Sequence, residues 1–303
     1  MCTSSVLFYS IMMLSVIRLI RPLQWAKNVF VLLPIFFGGK LFDINCWHQG
    51  LIVFASFSFM ASAIYCLNDI IDAEADRKHP KKRYRPVASG AVSKRQAGVI
   101  MSCLILVSLA LCLFLGPASF RVLAILCLYL ILNIAYCLKL KQYAIIDVFI
   151  VSFGFILRLV AGGIACDIWL SPWIVLMTFL LALFLAFAKR RDDVVLYEQK
   201  GLVARKNIVR YNLPFINQTL GIIGAITIVC YIIYTVSPEV ETRFNSRYVY
   251  VTSVFVLAGI LRYLQVTIVD IRSGSPTKIL LRDRFIQCCI CLWGLAFIAI
   301  LYL

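Results

Sequence analysis

Residues 50–67 read GLIVFASFSFMASAIYCL, with no charged side chain, and run directly into Asn68-Asp69-Ile70-Ile71-Asp72-Ala73-Glu74-Ala75-Asp76. At 1.5 Å rise per residue, an uncharged helix of this length is about as long as the ~30 Å hydrocarbon core of a bilayer is thick. The stretch therefore predicts a membrane-spanning helix that delivers carboxylates to the membrane surface. The same hydropathy test, carried outward in both directions, predicts further spans at 25–42, 96–115, 120–138, 147–165, 171–188, 215–236, 249–264 and 285–303, nine in all.

Composition supports a membrane protein. The chain has 303 residues, 62% apolar and 15% charged, with a mean hydropathy of +0.93. Soluble globular domains have about 45–50% and 25%. A water-soluble enzyme is excluded on that ground. A net charge of +16 in a soluble chain would suggest nucleic acid, but here the basic residues follow topology, so no nucleic-acid partner is expected and the bilayer is the partner. With the N-terminus in the cytoplasm, 25 of the 30 Lys and Arg fall on the inner side. Only Lys40, Arg121, Arg243 and Arg247 fall outside, and Arg158 lies within a span. The asymmetry predicts N-terminus in and C-terminus out.

The expected fold is all-α, a polytopic membrane protein formed by a single domain over 1–303. Residues 1–24 form an interfacial N-terminal segment, because the apolar run from Val6 to Ile20 is interrupted by Arg18. Most of the 12 cysteines lie in apolar runs and read as small helix residues. Without a C-x-x-C pair and matching ligands, a zinc or iron–sulfur site has no support. Cys46 and Cys166 are placed on a shared outer face.

Two inner loops, 68–95 and 189–214, are long for a compact protein and hold seven of the 14 carboxylates. At 100° per residue, Asp69, Asp72 and Asp76 share one helical stripe about 60° wide, with Glu74 on the opposite side. Like charges on one stripe at a helix C-terminus repel one another, so a cation is expected there. Oxygen-only donors select a hard ion, and Mg²⁺ commonly takes one or two carboxylates plus substrate phosphates. The plainer alternative is a solvated helix end whose acids pair with Arg77, Lys78 and Lys81. Immediately downstream, Arg77-Lys78-His79-Pro80-Lys81-Lys82-Arg83-Tyr84-Arg85-Pro86-Val87-Ala88-Ser89-Gly90 combines a basic run with two prolines and a glycine that fix a loop. Carboxylates beside a rigid basic loop suit a metal–polyphosphate site. His79, next to Pro80, reads as a loop residue.

These residues resemble the first signature of the UbiA-type intramembrane prenyltransferase superfamily, an Asp spacing, a basic loop and a terminating Ser-Gly over 23 residues, and nine spans agree with that family's all-helical fold. The resemblance covers essentially the whole chain and implies helices around a central cavity open to the cytoplasmic side, in a bacterial inner membrane. Within the superfamily, Arg21-Pro22-x-Gln24-Trp25-x-Lys27-Asn28-Val29 and Ala188-Lys189-Arg190-Arg191-Asp192-Asp193 are similar to decaprenyl-phosphate phosphoribosyltransferases. Those enzymes move phosphoribose from 5-phosphoribosyl 1-diphosphate to a polyprenyl phosphate. Ordinary prenyltransferases space two Asp residues four apart in the second acidic motif. The adjacent pair Asp192 and Asp193 departs from that pattern, and the Lys189, Arg190 and Arg191 preceding it suit a donor with an additional 5-phosphate.

On this resemblance Mg²⁺ is held by Asp69, Asp72 and Asp76, and Asn68 orients a carboxylate or a donor oxygen. Lys82, Arg83 and Arg85 grip phosphate oxygens. Asp193, or Asp192, holds a second metal or a ribose hydroxyl, with Lys189 and Arg190 beside it. Lys27 and Asn28 contact the lipid phosphate. Arg158, an intramembrane cation, reaches a phosphate or an Asp, or forms a structural pair. Asp147, beside Lys139 and Lys141, reads as a helix N-cap. Asn133 and Tyr136 face the same cavity or, for Tyr136, the interfacial belt. The competing readings are prenyl transfer from a polyprenyl diphosphate to an aromatic or other acceptor, a transporter, and an inactive scaffold. The sequence leaves a homo-oligomer open.

Overall fold

A computed structural model of the chain describes residues 13–78, 80, 82–201, 206–271 and 276–302. His79 and Lys81 of the basic loop, and the start of the expected interfacial segment, lie outside the described residues; residues 13–20 are helical. Among the described residues the regular structure is entirely helical: α1 (Ile44–Arg77), α2 (Lys94–Cys112), α3 (Ser119–Leu138), α4 (Ile146–Ala165), α5 (Pro172–Lys200), α6 (Leu213–Thr235), α7 (Ser253–Ile268) and α8 (Arg284–Tyr302), with short helices and 3-10 turns between them.

The helix ends follow local chemistry. The Asp43 side chain accepts the N–H groups of Asn45 and Cys46 at 3.0 and 3.2 Å and starts α1. Ser93 and Gln96 form a reciprocal capping box at the start of α2. Asn212 caps α6, and Gly201, at a φ of 62° that favours glycine, closes α5. At 34 residues α1 is longer than the span 50–67 at both ends, so the whole Asn68–Asp76 stretch is helical.

Six helical stretches among the described residues are long and apolar enough to cross a membrane: Ile44–Arg77, Lys94–Leu138, Ile146–Ala165, Pro172–Gln199, Leu213–Thr235 and Tyr248–Ile268. Lys94–Leu138 is α2 and α3 joined by a 3-10 segment that breaks at Gly116 (φ 57°) and Pro117. α2 and α3 pack against each other, so this stretch folds back as a hairpin. Arg284–Ile300 is a shorter apolar helix. The expected first span, 25–42, is not one regular helix. It runs as 3-10 turns over Pro22–Leu32 and a short helix over Leu33–Phe37. Pro34 lacks the N–H needed to continue the ladder, and Gly39 at φ 70° follows the end.

The chain divides into two compact units, Met1–Lys141 with Leu157–Leu170, and Gln142–Ile156 with Ser171–Leu303. In the first, α1 packs on α2, α3 and the Pro22–Leu32 turns, over a core that includes Val31, Phe57, Met60, Leu115 and Leu126. Gly162 is required here, because a Cβ would lie 1.9 Å from the Val31 carbonyl oxygen. Cys46 and Cys166 meet as expected, each sulfur near the other's carbonyl oxygen at 3.9 and 3.4 Å. In the second unit α5 packs on α6, and α7 on α6 and α8, over Phe184, Phe187, Ile208, Ile216, Leu220 and Ile260.

Candidate functional site

In the first unit the acidic stripe is built on the last three turns of α1. Asp69 is 1% exposed and Asp76 4%, whereas the Glu74 side chain, on the far side, is 82% exposed. Each buried carboxylate has a cation. Arg21, in a left-handed conformation (φ 56°) just ahead of Pro22, bonds Asp69 Oδ1 and stacks over the Tyr65 ring at 4.9 Å. Arg85 Nη1 reaches Asp76 Oδ2 at 2.7 Å and Asp69 Oδ1 at 3.5 Å. Lys141 Nζ donates to Asp72 Oδ1 at 2.6 Å and to Asn68 Oδ1 at 3.4 Å. The basic loop is tied down by Arg77, whose Nε donates to the Ala88 carbonyl at 3.1 Å. The acids therefore pair with Arg21, Arg85 and Lys141, and Arg77, a partner in the solvated-helix-end alternative, bonds the loop instead. Exposed Arg83 donates to Tyr84 Oη at 2.6 Å, and Lys82 lies on the same 3-10 turn.

Among the described residues no three His, Cys, Asp or Glu side chains converge as a metal-ligand group. Asp69 and Asp76 lie seven residues apart on the helix and are bridged by Arg85 Nη1, at 3.5 and 2.7 Å. The donor chemistry nonetheless suits magnesium. Asp69 Oδ2 is buried without a hydrogen-bond partner, a costly arrangement for a carboxylate oxygen, and Asp72 is partly open. One or two of these carboxylates with phosphate oxygens would complete a magnesium shell.

A second polar network lies deeper in the same unit. Asn28, fully buried, accepts from Arg158 Nε at 2.6 Å and donates to Ser58 Oγ at 2.9 Å. Arg158 Nη2 donates to Tyr129 Oη at 2.8 Å, and its guanidinium lies 4.7 Å from the Tyr129 ring centroid and 5.6 Å from that of Phe57. The amide of Asn28 is thus committed at both ends to holding the Pro22–Leu32 turns. Lys27, beside it, is half-buried. Asn133 donates to the Tyr129 carbonyl at 2.8 Å, and Tyr136 is half-buried.

In the second unit Asp147 is not a solvated cap. It is fully buried in the first turn of α4 and accepts Arg190 Nε at 2.6 Å and Tyr211 Oη at 3.1 Å. Tyr211 also accepts the Ile145 N–H at 2.6 Å, and burial pushes its phenol up to about 12, so it remains a donor. Arg190 Nη1 donates to Asp193 Oδ2 at 2.8 Å. Arg191 donates to Asn217 Oδ1 at 2.8 Å and to the Thr267 and Ile268 carbonyls at 2.6 and 3.3 Å, capping α7. Lys189 is exposed on the other face of α5, and Asp192 and Asp193 are half-buried. Two of the three expected phosphate cations are therefore buried in the unit's own bonding. In the sequence Arg21, Lys141 and Asp147 stand beside the motifs with no sign of these partners. Their partners lie 48, 69 and 43 residues away, a separation that no local spacing registers.

A helical membrane protein whose long α1 carries an Asn-Asp-x-x-Asp stripe into a basic loop defines a class. The chain belongs to the UbiA prenyltransferase family, whose sequence pattern matches residues 29–266, and it is a membrane transferase. It is 33% identical to a decaprenyl-phosphate phosphoribosyltransferase of Mycobacterium tuberculosis over 92% of this chain and 91% of that one. It is 34% identical to the protein of that name from Mycolicibacterium smegmatis over 91% and 89%. A solved UbiA homolog from Archaeoglobus fulgidus bound to GPP and Mg²⁺ shares the fold, with a TM-score of 0.68, 19% identity and coverage of 94% of this chain and 99% of that one.

Proposed function

We propose that this protein transfers phosphoribose from 5-phosphoribosyl 1-diphosphate to a polyprenyl phosphate, releasing diphosphate, with Mg²⁺ as the cofactor. The observation that carries this reading is the identity to decaprenyl-phosphate phosphoribosyltransferases across nine-tenths of both chains. It is supported by a stripe of carboxylates interleaved with Arg21, Arg85 and Lys141, groups that exchange readily between carboxylate and phosphate oxygens. The proposed topology has nine spans, N-terminus in and C-terminus out, with the short helices at Pro22–Phe37 completing the first span. The proposed location is a bacterial inner membrane.

One or two of Asp69, Asp72 and Asp76 would hold the magnesium ion, which when bound would neutralise the diphosphate leaving group. Arg21, Arg85 and Lys141 donate to diphosphate oxygens as the bond from ribose C1 to the diphosphate oxygen breaks, with Lys82 and Arg83 on the loop rim. Asn68 orients Lys141. A lipid phosphate oxygen, already ionised at neutral pH, forms the new bond to C1, so the chain needs no strong general base. Lys27 would contact that lipid phosphate, while Asn28 and Arg158 hold the turns that carry it. Asp193, fixed by Arg190, and Asp192 serve the sugar or a second metal, with Lys189 at the α5 surface. Buried carboxylates also favour the positive charge that develops on the ribose ring.

The test is to incubate the purified protein in detergent with labelled 5-phosphoribosyl 1-diphosphate and a polyprenyl phosphate, with Mg²⁺ or with EDTA, and to follow label into the organic phase. Mg²⁺-dependent lipid labelling is expected. Folded protein that labels no lipid, but joins a polyprenyl diphosphate to an aromatic acceptor, would overturn the reading in favour of prenyl transfer.

A further inference from the structure

Cys46 and Cys166, both in the first unit, approach each other reciprocally. The Cys46 Sγ lies 3.9 Å from the Cys166 carbonyl oxygen, and the Cys166 Sγ lies 3.4 Å from the Cys46 carbonyl oxygen. Each side chain is thus directed at the other residue's main chain. That is what a disulfide needs, since cysteines whose Cβ vectors point apart cannot be bridged without backbone movement. A thiol is a weak hydrogen-bond donor, so two S–H contacts to carbonyls are little reason for cysteines 120 residues apart to meet.

Local chemistry fixes both main chains. Cys46 stands in the first turn of α1, with its N–H on the Asp43 cap at 3.2 Å. Cys166 directly follows α4, with its N–H on the Gly162 carbonyl at 3.2 Å. The Ile168 N–H then closes on Gly163 at 2.8 Å across Asp167, which is left-handed at φ 51°. The same two helix ends hold the Pro22–Phe37 stretch that lacks a regular helix: a Cβ on Gly50 would meet Ile35, and one on Gly38 would meet Ile168. A bond between the two sulfurs would therefore fasten this corner covalently. Cys166, half-buried, is the more open partner. Burial pushes its thiol up to about 12. Exchange is then slow without a catalyst, but the reduced pair gains nothing by ionising, so a disulfide once made persists.

We propose that Cys46 and Cys166 form a disulfide that staples the start of α1 to the end of α4 on the outer, oxidising side of the membrane. The oxidant is a disulfide carrier of that compartment. One cysteine sulfur attacks the carrier's S–S bond and releases the first carrier thiol; the other cysteine sulfur then breaks the mixed disulfide and releases the second. The two cysteine sulfurs are oxidised, the two carrier sulfurs are reduced, and the two thiol protons end on the carrier. The proposal uses the proposed topology and is independent of the group the enzyme transfers.

The test uses the full-length protein in the membranes of a bacterium with an oxidising periplasm. Thiols are trapped with N-ethylmaleimide in denaturant at lysis, and the unreduced protein is digested with chymotrypsin, which cuts after Trp47 and so separates Cys46 from Cys66. Mass spectrometry is expected to find a cross-linked peptide holding Cys46 and Cys166 that falls apart on reduction. Reduction is also expected to lower the melting temperature in detergent by about 4 °C or more in the wild type, and by less than about 1 °C in Cys166→Ser, because the link closes a long loop. Recovery of both cysteines as maleimide adducts would overturn the staple, leaving each sulfur as a weak cap on the other's carbonyl. A reduction shift that persists in Cys166→Ser would assign it to other cysteines and overturn the staple as well.

Discussion

Replacing Asp147 by Asn tests the buried network of the second unit directly. The Asp147 side chain is fully buried and that of Arg190 is 3% exposed, with 2.6 Å between Oδ2 and Nε. Removing one partner of such a pair leaves an uncompensated buried charge, at a cost of about 3–5 kcal/mol. Two details place Asp147→Asn near the lower end. Arg190 retains Asp193 at 2.8 Å, and that carboxylate is 19% exposed and partly hydrated. The Asn oxygen still accepts one of the two hydrogen bonds from Arg190 and Tyr211.

An expected loss of about 3 kcal/mol converts, at about 2 °C per kcal/mol for a chain of this size, to a melting temperature about 6 °C lower. Tryptophan-fluorescence melting in detergent at pH 7 reads the shift. The double variant Asp147→Leu/Arg190→Met removes both charges and fills the space with apolar atoms, so it is expected to recover most of the loss. A melting temperature for Asp147→Asn within about 1 °C of wild type would refute the argument that this pair is a buried structural charge pair.

Asp72→Asn is expected to reduce lipid labelling by about 10²-fold or more while leaving the melting temperature nearly unchanged, because Asp72 is 28% exposed and its lost partner Lys141 keeps Asn68. Asn207 is 1% exposed with neither side-chain polar atom bonded, so Asn207→Leu is expected not to lower the melting temperature in the same detergent, since no hydrogen bond is lost. Hydrogen bonding from Arg262 holds the Asp283 carboxyl below its ordinary value of 3.8. Its contribution to stability is therefore complete above that value and fades as pH falls through the lower folded one. Melting curves between pH 5 and 3 are expected to decline less steeply in Asp283→Asn.

What the sequence reveals is whatever repeats within one helix. The 3.6-residue period alone puts Asp69, Asp72 and Asp76 on one side and Glu74 on the other, and the burial of Asp69 and Asp76 against the exposure of Glu74 follows. Uncharged runs locate the long helices, but a hydropathy window does not register backbone geometry. It assigns 25–42 a span without seeing that Pro34 and Gly39 divide it. Long-range partners are invisible for a different reason. Asp147 has Lys139 and Lys141 as sequence neighbours, yet the fold gives Lys141 to Asp72 and brings Arg190 to Asp147. Arg190 and Arg191 look alike as consecutive basic residues. The 100° between them sends one to two carboxylates and the other to the end of α7.

The pairing in the first unit bears on how substrate would enter. Asp69 and Asp76 share Arg85, and Asp72 has Lys141, so the stripe is held by cations that are themselves phosphate-binding groups. A bare diphosphate would have to draw Arg85 away and leave two buried carboxylates facing each other. A divalent ion alone would have to displace the same guanidinium and leave it buried beside new positive charge. Were the two to arrive together, the carboxylates would be free to take the ion while Arg85, Arg21 and Lys141 took the phosphate oxygens. No buried charge would then be left unpaired. Asp72 and Lys141, the more exposed pair, separate at the least desolvation cost. Asp69, at 1% exposure with one oxygen already unpartnered, gains most once the exchange is complete.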